Sequence, residues 1–350
     1  MYGFFNSVLH FASFDVILTC KTAEYFFIMK LLQFDFVDVI MHSSVFLLSF
    51  LVLQVSRITL GRPFVVNGKS RTTFSQTCDK DVCTNRRHAD SWKMGPPPSI
   101  SENSSYNQEI GRRWLEQAEA EHASIAAFAR NTLYLMHLGS TAGLLMTSQE
   151  AGMEKINHTK LSYGIATTFI GHDLSPGPLN VDGCLDEVDL KIITRSVVLD
   201  GCIEDTVLAI ETAQRANYSE DLAIKSALNQ MAWDNAKHAQ YAWDTLEWII
   251  EKFPEIRGFV LETLKIELER NLQNFECHSL KKEIPSTCTK PCTDSEEITM
   301  FRKYGLMTED ERINIRQTVM KKAIEPVYKS GLKKLPKSIT PKKKWVPQKE

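Results

Sequence analysis

The chain has 350 residues, 43% of them hydrophobic and 24% charged, and its formal net charge is -2. This composition is ordinary for a globular protein and excludes disorder along the whole chain. The 41 basic and 43 acidic residues nearly balance, so the chain as a whole has no electrostatic attraction to nucleic acid. We therefore expect no specific nucleic-acid partner.

Residues 1–56 are predicted to be a hydrophobic leader that differs from the rest of the chain. Charged residues interrupt its apolar runs, and none reaches the roughly 18 to 20 apolar residues that a spanning helix needs. An internal start at Met41 would be followed by an apolar stretch of signal-peptide length. We expect secretion or an extracellular location. The alternatives are an uncleaved membrane anchor and a wrongly assigned start of a cytoplasmic protein.

Residues 57–105 are predicted to be an extended arm followed by a linker rich in proline and serine. The linker contains Pro96, Pro97 and Pro98, and such a run cannot continue a helix. A helical core, residues 106–253, is predicted to begin after it.

Residues 106–253 contain four long segments with helical periodicity, at about 107–138, 140–170, 187–217 and 220–252. Two of the three breaks between them are short, and short breaks favour antiparallel neighbours. The sequence therefore predicts an all-α fold that contains an antiparallel four-helix bundle.

Residues 254–335 are predicted to form additional C-terminal helices with a cysteine-containing loop between them. One helix is expected to end at about Gln273, and the last is expected to run from about Glu309 to Lys334. No internal repeat of solenoid length is visible in the chain.

Residues 336–350 are predicted to be a basic, disordered tail. Eight lysines and three prolines lie between Lys329 and the C-terminus, so we expect this stretch to be solvated and to bury no core. The leader or the basic tail could associate with a membrane, the tail through anionic lipids.

The eight cysteines favour disulfide bonds in an oxidising compartment, because most lie in irregular segments. We expect at least one disulfide within the set Cys78, Cys83, Cys277, Cys288 and Cys292. Zinc bound by four of these thiolates is the alternative, although their spacings are not the usual two-residue ones. Cys202 is expected to be free, because it falls within a packed helix.

Each predicted helix of the core places an acid or a histidine on its apolar stripe, where burial of an unpaired charge costs several kcal/mol. These residues are Glu121 on the first helix, Glu154 and His158 on the second, Asp205 on the third, and Asp234 and His238 on the fourth. Two divalent cations would compensate such a set, because carboxylates from four helices and histidines from two are the ligands of di-iron bundles. Taken alone, an acid or a histidine on such a stripe is more often solvated at the edge, or hydrogen-bonded within the core, than a metal ligand.

Three segments carry a recognisable pattern: EHASIAAFAR at 121–130, GCIEDT at 201–206 and DNAKHA at 234–239. They resemble an uncharacterised family of ferritin-like domain proteins known mainly from bacteria, related to the di-iron carboxylate bundles. GRPFVVNG at 61–68, PGPL at 176–179 and the closing segment from Tyr304 to Pro326 are similar to that family too, so the resemblance covers about residues 60–335. It implies the fold, but no activity is established for the family, and it assigns no catalytic residue or substrate.

The chain departs from the family pattern where the resemblance implies metal ligands. Helices two and four of the family carry Asp-Glu-x-x-His, but Lys155 and Asn235 stand in place of the two glutamates here. Asp205 stands where the third helix would have a glutamate. The ammonium group of Lys155 is electrostatically hostile to a bound cation.

Two accounts of the core follow from these departures. In the first, Glu154 and Asp234 swing in to replace the lost glutamates, and the protein binds iron or manganese as an oxidoreductase. In the second, Lys155 pairs with Glu121 or Asp205, and the bundle keeps a degenerate metal site with a scaffold or binding role. A third reading is a membrane-tethered protein that uses the bundle only as a scaffold.

Overall fold

The computed structural model describes residues 62–77, 89–100, 105–186, 188–283 and 295–337. They are predominantly helical, which confirms the predicted all-α class. Among these described helices, none combines the length and the apolar character needed to cross a bilayer.

The expectations for the leader, for the end of the basic tail and for the predicted disulfides or zinc site fall outside the described residues or side chains. Of the cysteines that are described, Cys184 and Cys202 are free, and Cys202 is buried as predicted.

The first two long helices are α1 (Asn107–His137) and α2 (Ala142–Ile170), which pack along each other. Helix α2 begins after Thr141, whose side chain accepts a hydrogen bond from the backbone N–H of Leu144. It ends at Gly171, which has a left-handed φ of 85° that glycine adopts without strain. Local capping signals therefore define both ends of α2.

The third long segment is continuous but not uniform. It consists of α3 (Leu190–Ser196), a π-helix (Val197–Asp205) and α4 (Thr206–Tyr218). A π-helix was not predicted, and it places Asp205 at the point where α-helical geometry resumes. Helix α5 (Leu222–Lys252) follows after the N-cap Asp221 and packs against α2, α4 and the π-helix.

Four short strands hold the arm against the helices. Strands β1 (Val65–Val66) and β2 (Lys69–Ser70) form a hairpin, and β3 (Ser75–Thr77) pairs antiparallel with β4 (Leu174–Pro176) after α2. In the hairpin turn, Asn67 and Gly68 both have positive φ, the conformation that an Asn-Gly turn provides. The predicted extended arm is thus folded back onto the helical core.

The C-terminal part contains more helix than predicted. A 3-10 turn (Pro254–Ile256) leads into α6 (Arg257–Glu283), which extends beyond the predicted end near Gln273 because the sequence has no glycine or proline from 259 to 284. Helix α7 (Ser295–Lys303) was not predicted at all. Its burial of Phe301 shows that this stretch belongs to the folded core.

The last helical segment is shorter than predicted. It consists of α8 (Glu309–Val319), a π-helix (Met320–Ile324) and α9 (Glu325–Lys329), and it ends before the predicted Lys334 because Gly331 and Leu332 have left-handed φ. The expectation of a solvated stretch from Lys329 is wrong at its start, since Leu332 is only 5% exposed and packs in the apolar core.

Candidate charged core site

The predicted ligand residues come together where α1, α2, the first π-helix and α5 meet, but protein cations are among them. We use "charged core" for this set of contacting side chains: Arg62, Glu121, Glu154, Lys155, His158, Asp205, Asp234, Asn235, Lys237 and His238. Five of the six predicted ligands are buried, while Glu154 lies at the rim with 23% of its side chain exposed.

Lys155 lies at the centre of this set, and no part of its side chain is exposed. Its Nζ donates hydrogen bonds to Glu121 Oε2 at 2.8 Å and to Asn235 Oδ1 at 3.0 Å. Asn235 in turn donates from Nδ2 to Thr212 Oγ1 at 3.2 Å. Lys155 and Asn235, the two departures from the predicted Glu-x-x-His pattern, therefore contact each other directly.

The acids one turn before the histidines pair across the helices. Asp234 of α5 contacts His158 of α2, with 3.2 Å between Oδ2 and Nε2. Glu154 of α2 contacts His238 of α5, with 2.7 Å between Oε2 and Nε2. Lys237 closes the rim by contacting both Glu154 and Asp234. Each of these two carboxylates therefore contacts an imidazole of the neighbouring helix and the ammonium group of Lys237.

Asp205 is paired with a residue from the arm, Arg62. The Nε and Nη2 atoms of Arg62 both donate to Asp205 Oδ2, at 3.1 and 2.6 Å. The guanidinium lies 4.2 Å from the centre of the Phe128 ring, and the backbone carbonyl of Arg62 accepts a hydrogen bond from Ser124 Oγ. A Cβ on Gly201 would lie 2.9 Å from Arg62 Nη2, so glycine at this position makes room for the guanidinium.

Arg62 was missed by sequence reasoning, although a signal was present. An acid on an apolar stripe needs a counter-charge, and Arg62 belongs to the segment 61–68 that carries part of the family resemblance. Its partner could not be assigned, because the arm's path across α1 is a tertiary feature.

The four acids of the charged core fall into two groups. Burial outweighs the neighbouring cations and raises the pKa of Asp205 and of Glu154, whereas the pKa of Glu121 and of Asp234 is lowered. Burial raises the pKa of Glu121, but the charge of Lys155 and the contact with His158 outweigh it and hold the pKa at about 2. Burial likewise raises the pKa of Asp234, but its hydrogen bond with His158 and the charges nearby lower it to about 2.

The pKa values of the two histidines of the charged core are shifted in opposite directions. Burial lowers the pKa of His158, but its hydrogen bond with Asp234 and the nearby negative charge of Glu121 outweigh burial and raise the pKa above its ordinary value. Burial, with the positive charges of Lys155 and His158, lowers the pKa of His238 well below the ordinary value. His158 therefore favours the imidazolium form and His238 the neutral form.

Comparisons of the chain with family models, with curated proteins and with solved structures found no significant match. The ferritin-like resemblance thus stays a prediction from the quoted motifs.

The donor atoms, as placed, do not fit a pair of metal ions. Glu121 Oε2 is taken by Lys155 and Asp205 Oδ2 by Arg62, and these protein cations would repel a divalent ion at close range. Within the described ranges, no group of three or more His, Cys, Asp or Glu side chains is arranged to hold a metal ion.

Four potential donor atoms of the same region are nevertheless buried without a hydrogen-bond partner within the described part of the chain. They are Glu121 Oε1, Asp205 Oδ1, His158 Nδ1 and His238 Nδ1. His158 Nδ1 lies 3.7 Å from the other carboxylate oxygen of Glu121, Oε2, which is too far for a hydrogen bond. Buried polar atoms of this kind are costly and call for a chemical explanation.

Proposed function

We propose that residues 106–253 form a ferritin-like four-helix bundle with a degenerate di-metal site, and that the protein has a scaffold or binding role. The order of four long helical segments and the resemblance of their motifs support the bundle. In this proposal Lys155 and Arg62 supply the positive charge that metal ions supply in di-iron relatives.

The observation that carries the proposal is the contact of Lys155 Nζ with Glu121 Oε2 at 2.8 Å, with both side chains fully buried. A buried carboxylate needs one compensating charge, and the ammonium group provides it without an ion. Arg62 does the same for Asp205, whose side chain is 1% exposed. The fully buried carboxylates of the charged core are thereby neutralised by residues of this chain.

The side chains at the rim of the charged core are also neutralised by residues of this chain. Glu154 and Asp234 face one lysine, Lys237, and the imidazole of His158, whose pKa is raised. Two acids opposite one ammonium and one imidazolium make a balanced group. Among the described residues of the rim, no unbalanced negative charge is left to attract a metal cation.

The alternative function is a metal-binding oxidoreductase that uses iron or manganese. Its ligands would be Glu121, Glu154, His158, Asp205, Asp234 and His238. The four buried donor atoms without hydrogen-bond partners favour this alternative, because a cation would satisfy them. Binding would require Lys155 and Arg62 to withdraw from Glu121 and Asp205.

Elemental analysis of full-length protein, expressed with excess iron and manganese, tests the proposal. We expect fewer than about 0.1 metal ions per chain and no rise in melting temperature on addition of Fe(II) or Mn(II). A stoichiometry near two ions per chain would overturn the proposal in favour of the oxidoreductase. Addition of Mg(II) serves as the control for non-specific ionic effects.

A further inference from the structure

Lys155, Asn235 and Glu121 bring a primary amine, a carboxamide and a carboxyl group into mutual contact. Lys155 Nζ is 3.0 Å from Asn235 Oδ1 and 2.8 Å from Glu121 Oε2. The side chains of Lys155 and Glu121 are not exposed at all, and Asn235 is 1% exposed. A nucleophile, an acyl group and a proton acceptor are therefore confined together away from bulk water.

We propose that Lys155 and Asn235 become joined by an internal isopeptide bond, with Glu121 transferring the proton. The ammonium group of Lys155 gives one proton to the Glu121 carboxylate, and the neutral amine attacks Asn235 Cγ. The Nζ–Cγ bond forms, the Cγ–Nδ2 bond breaks, and the second amine proton leaves with Nδ2 as ammonia. The products are a secondary amide, one ammonia molecule and a protonated Glu121, so atoms and charge balance without an oxidant or a cofactor.

Removal of buried charge drives the reaction forward. Before it, the core holds an ammonium and a carboxylate, and keeping both out of water is costly even when they are paired. After it, both charges are gone and the new amide is neutral. The core is electrically balanced before and after the reaction, so this inference goes beyond the proposed function, and a chain without the bond would still have a neutralised core.

Contacts around the three groups suit the individual steps. Asn235 Nδ2, the leaving nitrogen, donates to Thr212 Oγ1 at 3.2 Å, which holds the carboxamide in one orientation. Glu121 Oε1 is buried without a hydrogen-bond partner in the described structure, so it is free to carry the proton and pass it to the breaking bond. The resting state is the ion pair, because Lys155 Nζ lies 2.8 Å from Glu121 Oε2 with both side chains fully buried, and we expect the reaction to be slow.

Proximity compensates for the weak electrophile. Carboxamides resist amines in water, but a fixed intramolecular pair gains a large effective concentration. The groups stand on different helices, Lys155 on α2 and Asn235 on α5, so the bond would tie these two helices together covalently.

Intact mass spectrometry of the denatured and reduced full-length protein tests the proposal. After prolonged incubation of the folded protein, we expect a mass lower than the sequence mass by one ammonia. Tryptic digestion should then give a branched peptide that joins residues 131–160 to residues 226–237, with Lys155 uncleaved. A succinimide at Asn67-Gly68 would also lose ammonia, but it would leave these two peptides separate.

Three variants assign the roles of the groups. Lys155→Arg keeps a positive charge but lacks the nucleophilic amine, Asn235→Ala lacks the acyl group, and Glu121→Gln lacks the proton acceptor; none should form the branched peptide. The matched control is Asn131→Ala, which removes another buried asparagine, one that contacts Tyr241, and should still form it. Wild-type protein that is folded, keeps its full mass and yields the two peptides separately would overturn the proposal whatever the variants do.

Discussion

Arg62 of the arm contacts Asp205 of the first π-helix across 143 positions of sequence, with 2.6 Å between Nη2 and Oδ2. The contact joins an element outside the four long helices to the centre of the helical core. Both side chains are buried, so neither charge can be hydrated if the other is removed.

Arg62→Met should therefore destabilise the protein by about 3 to 5 kcal/mol, because Asp205 would stay buried without a partner. Urea unfolding followed by circular dichroism measures this difference. Lys69→Met is the control on the same arm, since Lys69 is exposed, and it should change the free energy of unfolding by less than about 0.5 kcal/mol. Equal effects of the two substitutions would contradict the buried pair.

Lys155→Met tests the internal counter-ion of Glu121. We expect a loss of about 3 to 5 kcal/mol, because methionine fills a similar volume but leaves the Glu121 carboxylate unpaired. Lys160→Met, on the same helix and only partly buried, is the control and should cost less than about 0.5 kcal/mol. If Lys155→Met changed the free energy of unfolding as little as Lys160→Met does, the ammonium group of Lys155 would have to lie in solvent.

The pH dependence of stability should contain a contribution from Glu121. Its pKa falls from 4.5 to about 2 on folding, through Lys155 and His158 acting against burial. A lowered pKa contributes stability that is fully present above pH 4.5 and is lost as the pH falls through about 2. Glu121→Gln should therefore lose less stability than wild type between about pH 5 and about pH 3.

Urea midpoints at the two pH values measure this prediction. Glu116→Gln is the control, because Glu116 is exposed on the same helix and should leave the wild-type pH dependence unchanged. If Glu121→Gln kept the wild-type slope, folding would not lower the pKa of Glu121.

Lys155→Glu combined with Asn235→Glu should restore Glu-x-x-His on α2 and α5 and create a metal site. The first substitution changes the charge by two units and the second by one, so the core becomes more negative by three. Without metal the variant should melt below wild type, and Fe(II) or Mn(II) should raise its melting temperature more than that of wild type, because they bind only the folded state.

A charge-matched control for this variant is Lys160→Glu with Gln240→Glu, which makes the same change on the same two helices outside the charged core. Its melting temperature should not respond to either metal. If the Lys155→Glu/Asn235→Glu variant is folded and its melting temperature also does not respond to Fe(II) or Mn(II), these positions cannot form a common metal site.

The sequence by itself determined the all-α class, the approximate bounds of the four long helices and the burial of most of the candidate residues. These features depend on local rules: apolar periodicity assigns a face, and N-caps such as Thr141 and Asp221 fix where a helix begins. It also identified Lys155 as a candidate counter-ion but left Glu121 and Asp205 as equal choices of partner.

Only the tertiary structure decided which charges meet. The choice of Glu121 for Lys155, of Arg62 for Asp205 and of opposite helices for the acid–histidine pairs depends on how helices rotate and where the arm crosses them. The π-helix before Asp205 also escaped prediction, because its apolar pattern differs little from that of an α-helix. The face on which a residue lies follows from neighbours a few positions away, whereas its partner in the charged core lies 34 to 143 positions away.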